Sequence, residues 1–451
     1  MLARRLGHSN PLRIAIADDS GLIYSDDYRD GWVWGFRGLD CEVQVFDVSA
    51  LRRFGMTRAS PYSSGSAKGF PKMMGKNVAS WKPDLVFCHH GRGTSHPGFL
   101  MELHRLGIQT AVYLCDEPYE IGETAIYSPR FKHVFTMDPK TIEIHRMSRD
   151  GRGRQVHYLP PGVNTDHFKL VPYSKRRKGG AFFLGNAGLV PRPAFFKPVE
   201  RMLGADIRFW PQGRVAVGKG HPKWVPLDQH PAIYGDCHVG LNVHRDPGIT
   251  MDCYKRRIVA RNHNNKPVPK GLQLVSRPPT HDGTGFWNDG NIPASHLCPR
   301  FFEMAACGTL VVSDDSRSEL QRLFPMAPRA RGPEHFLELV HYYLDHTDEA
   351  EEIGRACNYL ISRRHSYRHR AAEVLIRVGL LEQGKDSLVS LLGEPEGWLS
   401  QQDFTQHEGS SSSAPTGPSE RWSPAYGMSL IGGSGSVKEA TSLDVPSPWL
   451  A

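Results

Sequence analysis

The feature that most limits how this chain can fold is a recurring unit. A short apolar run, rich in β-branched residues, ends in a polar tip and is followed by a helix-length segment. Arg13–Asp19, Cys41–Asp47, Lys82–Gly91, Thr110–Pro118, His133–Asp138 and Val156–Gly162 all read this way. Runs this short and β-branched are strands rather than helices. Strands separated by helix-length segments join through right-handed crossovers into a parallel sheet. Ligands of such sheets bind beyond the strand carboxyl ends. That rule singles out His89, His90, Asp116 and Asp138 as polar residues at strand tips. Tyr28–Leu39 and Phe99–Leu106 are read as helices, the second stopped by Gly107, and residues 55–80, crowded with Gly, Ser, Lys and Met, as a loop.

A second run of the same kind begins after the basic cluster Lys175-Arg176-Arg177-Lys178 and Gly179-Gly180, which we read as the domain boundary. Ala181–Leu184, Ile207–Trp210 and Val239–Arg245 are strands, Gly185–Gly188 a tight turn and Val199–Leu203 a helix. Residues 246–291 are irregular and basic, and a loop of that length is expected to be functional or disordered. The stretch Pro299–Leu320 then gives a helix, a glycine stop at Gly308, a buried strand and an acidic turn. It contains one carboxylate in an apolar helix, Glu303, and a buried carboxylate is costly unless it is paired or hydrogen-bonded. Glu334–Leu344 is amphipathic, and Ala350–Leu381 supplies closing helices on which Tyr367, Arg368 and Arg370 are expected to face solvent. From about Gln402 onward Ser, Gly and Pro dominate and no structure is assigned. The expected architecture is α/β, with two Rossmann-like domains facing a cleft. Residues 1–170 form the first domain, 171–360 the second, 361–401 the closing helices and 402–451 a disordered tail.

Composition narrows the class. A chain of 451 residues is too long for one ordinary core. No apolar run approaches the roughly 18 residues of a membrane helix, and Met1–Leu12 lacks the apolar stretch of a secretory signal. The eight cysteines have no paired C-x-x-C spacing, which fits reduced thiols in the cytoplasm. A net charge of +8 favours a polyanionic or phosphate-bearing partner. The 22 histidines show no metal-ligand spacing, so no metal site is expected. Gly185-Asn186-Ala187-Gly188 falls short of the dinucleotide fingerprint, which disfavours a nicotinamide enzyme.

Four stretches carry a resemblance to a known family. They are Leu159–Phe168, Phe183–Asn186 with Arg192, Tyr234–Arg245 and, most strongly, Arg300–Gly308. The chain resembles the CgeB-like glycosyltransferases, relatives of the retaining GT-B enzymes. The resemblance covers residues 10–380, most specifically 230–320. It implies two facing Rossmann-like domains (GT-B) and a nucleotide-diphosphate sugar held mainly by the second domain. Many of these enzymes have a further glutamate eight positions before the residue matching Glu303; here that position is Ser295.

On this reading a sugar moves from a nucleotide-diphosphate sugar to an acceptor hydroxyl, with no cofactor beyond that co-substrate. The departing diphosphate needs cations or helix N-termini around it. No Asp-x-Asp motif ends a strand, so Arg192, Arg245 and Arg300 are assigned to it. Glu303 would accept hydrogen bonds from the ribose hydroxyls. Gly185 and Gly308 would admit the donor close to the backbone, and Asn186 and Asn242 complete the donor set. His90 and Asp116 are the candidate groups for orienting or deprotonating the acceptor, which could be a glycan, a protein or DNA. Two rival classes stay open: a basic nucleic-acid-binding protein, or a transferase acting on modified DNA bases, and an epimerase of the same fold.

Overall fold

A computed structural model of the chain describes residues 10–18, 25–54, 69–89, 94–146, 155–175, 180–185, 187, 191–204, 207–210, 225–245 and 292–382. His90, Asn186, the 246–291 loop and the tail expected from 402 lie outside the described residues.

Two all-parallel sheets organise the molecule. The first has strands β1 (Arg13–Asp18), β2 (Glu42–Asp47), β3 (Leu85–His89), β4 (Gln109–Leu114), β5 (His133–Thr136) and β6 (Gln155–Tyr158) in the order β2-β1-β3-β4-β5-β6. The second has β7 (Ala181–Leu184), β8 (Ile207–Trp210), β9 (Val239–Asn242), β10 (Leu310–Asp314) and β11 (Arg329–Ala330) in the order β11-β10-β9-β7-β8. This is the expected pair of Rossmann-like halves. Each order reverses once, between β1 and β3 and between β7 and β9. Such switch points open a crevice at the carboxyl ends of the strands. The register Leu310↔Val239 through Ser313↔Asn242 brings the ends of β9 and β10 level.

The sequence explains why the strands are buried on both faces. Ile14 to Asp18, Leu85 to His89 and Leu310 to Asp314 are each uninterrupted buried runs. The helix Pro299–Ala306 lies on β9 and β10. Phe301, Phe302, Met304 and Ala305 are fully buried, while Arg300 and Glu303, three residues apart, share the remaining face. Each buried phenylalanine contributes about 2–3 kcal/mol. Gly240 on β9 makes the close packing possible, because a Cβ there would sit 2.5 Å from Met304 Sδ.

Two local readings need correction. Within the expected loop 55–80, residues Gly69–Ser80 form a helix. Its glycines and lysines hid a buried stripe, Pro71, Gly75 and Val78, which packs towards Phe99 and Glu102 of the helix Pro97–Arg105. Tyr367 and Arg370 are not on a solvated face; they are buried. The helix Tyr367–Arg377 follows Thr347–Arg364 but crosses back to the first sheet's side. There Tyr367 meets Trp32 at 5.3 Å between ring centroids and lies against Gly31 and Gly35 of the helix Ser25–Arg37. Arg370 donates to the carbonyls of Pro161 and Arg364. The chain thus passes twice between the halves. The two passages pair at Val163 and Ser366, where Val163 N–H donates to His365 O and Tyr367 N–H to Val163 O.

Candidate functional site

The carboxyl ends of the two sheets face each other, and cross-half contacts mark the cleft between them. Arg245, just past β9, donates to Asp116 at 2.9 Å and lies 3.7 Å over the Tyr119 ring. Tyr119 and Arg317 both donate to the Arg245 carbonyl. Asp138, after β5, accepts from the backbone and hydroxyl of Ser295 at 2.7 and 2.8 Å and from His296 Nδ1 at 3.0 Å. Burial works against the Asp138 charge, but these donors outweigh it and hold the carboxyl below its usual range. Burial keeps His296 neutral by lowering its pKa despite Asp138, so Nδ1–H donates to a carboxylate. Farther along, Tyr158 of β6 donates to Glu319, which also accepts from Leu297 N–H. Burial pushes the Glu319 carboxyl up to about 7, against the pull of Arg322 and these two donors.

Inside the second half, the switch point between β7 and β9 carries the predicted donor residues. Gly185 ends β7 with φ +138°, a conformation open to glycine. A Cβ there would come 2.7 Å from an Arg300 Nη, so the bare backbone makes room for that guanidinium. Arg300 Cζ is 4.9 Å from the Phe183 ring centroid, and Arg192 Cζ is 5.4 Å from the same ring. Arg192 is buried and donates to Val243 O at 2.7 Å. Burial first, then the positive charges of Arg300 and Arg245, lower its pKa to about 9. These arginines therefore repel one another in a confined space. Among the described residues, Arg300 Nη1 is buried without a hydrogen-bond partner.

Glu303 sits one turn down the same helix. Its side chain is 14% exposed and turns towards Tyr234, which donates to Oε2 at 2.8 Å; His230 Nδ1 is 3.9 Å from the same oxygen. Burial raises the Glu303 pKa, with Tyr234 and Arg300 opposing. One oxygen is thus held by the protein, whereas the sequence reading gave both to a ligand. Among the described residues no donor reaches Oε1.

The structure brings Gly185, Arg192, Asn242, Arg245, Arg300 and Glu303 to this end of the sheet, with Asp116 across the cleft. It does not bring Gly308 there. Gly308, φ +70°, closes the helix at its other end, where its carbonyl lies against Gly354 of the helix Thr347–Arg364. Ser295 is committed to Asp138. Sequence reasoning missed Cys298, His244, Asp314, Tyr119 and Arg317. Cys298 had one readable signal: it immediately precedes Pro299 and so occupies the N-cap slot of the site helix. His244, Tyr119 and Arg317 act through contacts across 70 residues or more, which no local pattern announces.

Electrostatically, this end of the sheet offers several guanidinium groups and one carboxylate that is half satisfied. Guanidinium forks suit phosphate oxygens, and a carboxylate oxygen suits a hydroxyl. No group of three or more metal-ligating side chains occurs among the described residues. Nor is any described helix long and apolar enough to cross a membrane.

Residues 292–376, which contain Arg300 and Glu303, match a family model described as glycosyl transferase-like. Comparison with curated protein sequences finds no match. Among solved structures, the chain is similar to a sucrose-phosphate synthase from Thermosynechococcus elongatus, with 10% identity, TM-score 0.44, and 80% of this chain and 97% of that one covered. It is similar to Anabaena HepE in complex with UDP and glucose, with 10% identity, TM-score 0.45, and coverage of 82% and 100%. A glycosyltransferase from Rickettsia africae shares 12% identity at TM-score 0.44, with coverage of 83% and 99%.

Proposed function

We propose that this protein is a glycosyltransferase that moves a sugar from a nucleoside-diphosphate sugar to an acceptor hydroxyl. The observation that carries the reading is the pairing of Arg300 and Glu303 on one helix face at the β7/β9 switch point. Each has an atom, Nη1 and Oε1, to which no described residue bonds. The match of residues 292–376 to a glycosyl transferase-like family model supports it independently.

In the mechanism, Glu303 Oε1 accepts from a ribose hydroxyl while Tyr234 fixes Oε2. Arg300, with Arg192 and Arg245 behind it, faces the diphosphate. When the bond from the sugar carbon to phosphate oxygen breaks, the electron pair leaves with the diphosphate. Fixed guanidinium groups are already in place for that charge, so little reorganisation is needed. The acceptor oxygen forms the new bond to carbon and loses its proton. Asp116, oriented by Arg245, is the first-half carboxylate that we assign to that proton, together with His90. The acceptor approaches from the first half, whose strand ends line the other side of the cleft.

Isothermal titration with UDP, GDP and ADP tests the reading. One of them should bind wild-type protein, and Glu303→Ala should weaken it by about tenfold or more, as expected for a hydrogen bond to a charged group worth about 1.5–3 kcal/mol. Folded protein that binds none of these nucleotides would overturn it.

A further inference from the structure

Glu303 meets the helix His230–Tyr234, which follows the short turn Leu227–Gln229. That helix brings two side chains to the carboxylate. The Tyr234 hydroxyl donates to Oε2 at 2.8 Å, and His230, one turn earlier, stops with Nδ1 3.9 Å from the same oxygen. At that separation His230 and Glu303 do not hydrogen-bond.

The surrounding bonds fix where the imidazole proton is. His230 Nε2 lies 3.2 Å from the Val225 carbonyl oxygen. A carbonyl only accepts, so Nε2 carries the proton, and Nδ1 of the neutral ring presents a bare lone pair. Burial lowers the His230 pKa to about 4 against the Val225 hydrogen bond, and the Arg300 charge adds to the effect, so the ring is neutral near pH 7. His230 is 9% exposed, and its Nδ1 is buried without a hydrogen-bond partner. Glu303 Oε1, in turn, receives no donor from the described residues. Two side chains on different helices therefore converge, each with one unused acceptor.

We propose that His230 and Glu303 form a diol-reading pair, in which Nδ1 accepts one hydroxyl of the nucleoside's ribose and Oε1 accepts the neighbouring one.

The chemistry of the two acceptors selects this ligand class. A phosphate or carboxylate would meet only lone pairs and a negative charge here. A lone hydroxyl has one proton to give and would satisfy one acceptor. A ribose offers two cis hydroxyls on adjacent carbons, each with a proton to donate. Tyr234 makes the second acceptor useful: with Oε2 held, Oε1 is the open oxygen of the carboxylate. Val225 does the corresponding work for the imidazole by fixing its tautomer. A nucleotide that lacks one hydroxyl leaves a buried acceptor unpaired, which is how such a pair rejects deoxyribose. The inference rests on the donor reading above, which puts the nucleoside at Glu303, and adds His230 as a residue that determines specificity.

The test is isothermal titration of the full chain with UDP, GDP and ADP, and with the 2′-deoxy and 3′-deoxy forms of whichever binds. Wild type should bind each deoxy form at least about fivefold more weakly, the worth of one hydrogen bond. His230→Gln keeps an N–H for Val225 but has no acceptor at the Nδ1 position. This variant should bind the ribonucleotide and one deoxy form to within about twofold of each other, while the other deoxy form stays weak through Glu303. His230→Asn, whose carbonyl oxygen takes the place of Nδ1, should keep both discriminations. Nitrogen NMR of wild type needs no variant: the His230 Nδ1 resonance should move with the ribonucleotide and with one deoxy form, and stay in place with the other. Two results would overturn the inference and spare the donor reading. One is nucleotide binding in H230Q with both discriminations intact, or both reduced equally, as loss of packing around Glu303 would give. The other is an Nδ1 resonance that does not respond to the bound ribonucleotide. Folded wild type that binds no nucleotide would overturn the donor reading and this inference together.

Discussion

Replacing Glu319 by glutamine should stabilise the protein at alkaline pH and do almost nothing at mildly acidic pH. Glu319 is fully buried, with Tyr158 of the first half and Leu297 N–H of the second as hydrogen-bond partners. Its folded pKa of about 7 lies above the ordinary 4.5. The sign follows from linkage: a carboxyl whose pKa is raised on folding contributes stability that is complete below pH 4.5 and lost as pH rises through 7. At about 1.4 kcal/mol per pH unit, the gap amounts to about 3 kcal/mol in full and somewhat less between pH 5 and pH 8. Glutamine mimics the protonated acid. Its amide can donate towards Tyr158 O while its carbonyl accepts from Leu297 N–H, and it never ionises. Urea unfolding of wild type and Glu319→Gln at pH 5 and pH 8 measures the difference directly. The two proteins should be alike at pH 5, and the variant should be more stable by about 2–3 kcal/mol at pH 8. A difference that is the same at both pH values, or a variant that is weaker at pH 8, would refute the claim that Glu319 resists ionisation.

Three further perturbations test other parts of the structure. Asp138→Ala leaves the neutral donors of Ser295 and His296 without their acceptor; it should cost about 1–3 kcal/mol of the stability measured by urea unfolding, and wild type should lose this contribution only as acid protonates a carboxyl held below its usual range. Gly185→Ala forces a Cβ against Arg300 at a φ of +138°; nucleotide titration should show at least a tenfold weaker complex, with a melting temperature lowered by a strain of about 1–3 kcal/mol. Gly31→Ala drives a methyl group to within 2.1 Å of the Tyr367 ring; thermal unfolding should show a loss of about 1–3 kcal/mol, and Tyr367→Phe should not relieve it.

The sheets were legible because their strands are local statements. Leu310-Val311-Val312 or Leu85-Val86-Phe87 can be little else, and their polar tips marked one edge of each sheet. The Arg300–Glu303 pair was legible for a similar reason: three residues apart in an apolar helix, both must leave the core on the same face. The helix Gly69–Ser80 was not, since its buried face is made of Pro71, Gly75 and Val78, small residues that carry little periodic signal. The pair His244 and Asp314 was also hidden. Its members are separated by the whole 246–291 segment and joined only when β9 pairs with β10. Asp138 illustrates the same limit. Its place at a strand tip was visible, but its partners lie 157 and 158 positions away. What pattern reading recovers is the direction in which a side chain leaves its element; which residue it meets there depends on the crossovers.

The pairing of Val163 with Ser366 has a mechanical consequence. Two spans of chain, side by side and hydrogen-bonded, tether one half to the other. A single tether would allow twisting as well as bending, whereas a doubled one resists torsion and leaves flexing about one axis as the soft movement. The tyrosine that follows the second span is anchored deep under Trp32. Severing the polypeptide after Arg364 would therefore remove more than a terminal appendage: it would strip a wall from the opposite half and leave the remaining tether free to swivel.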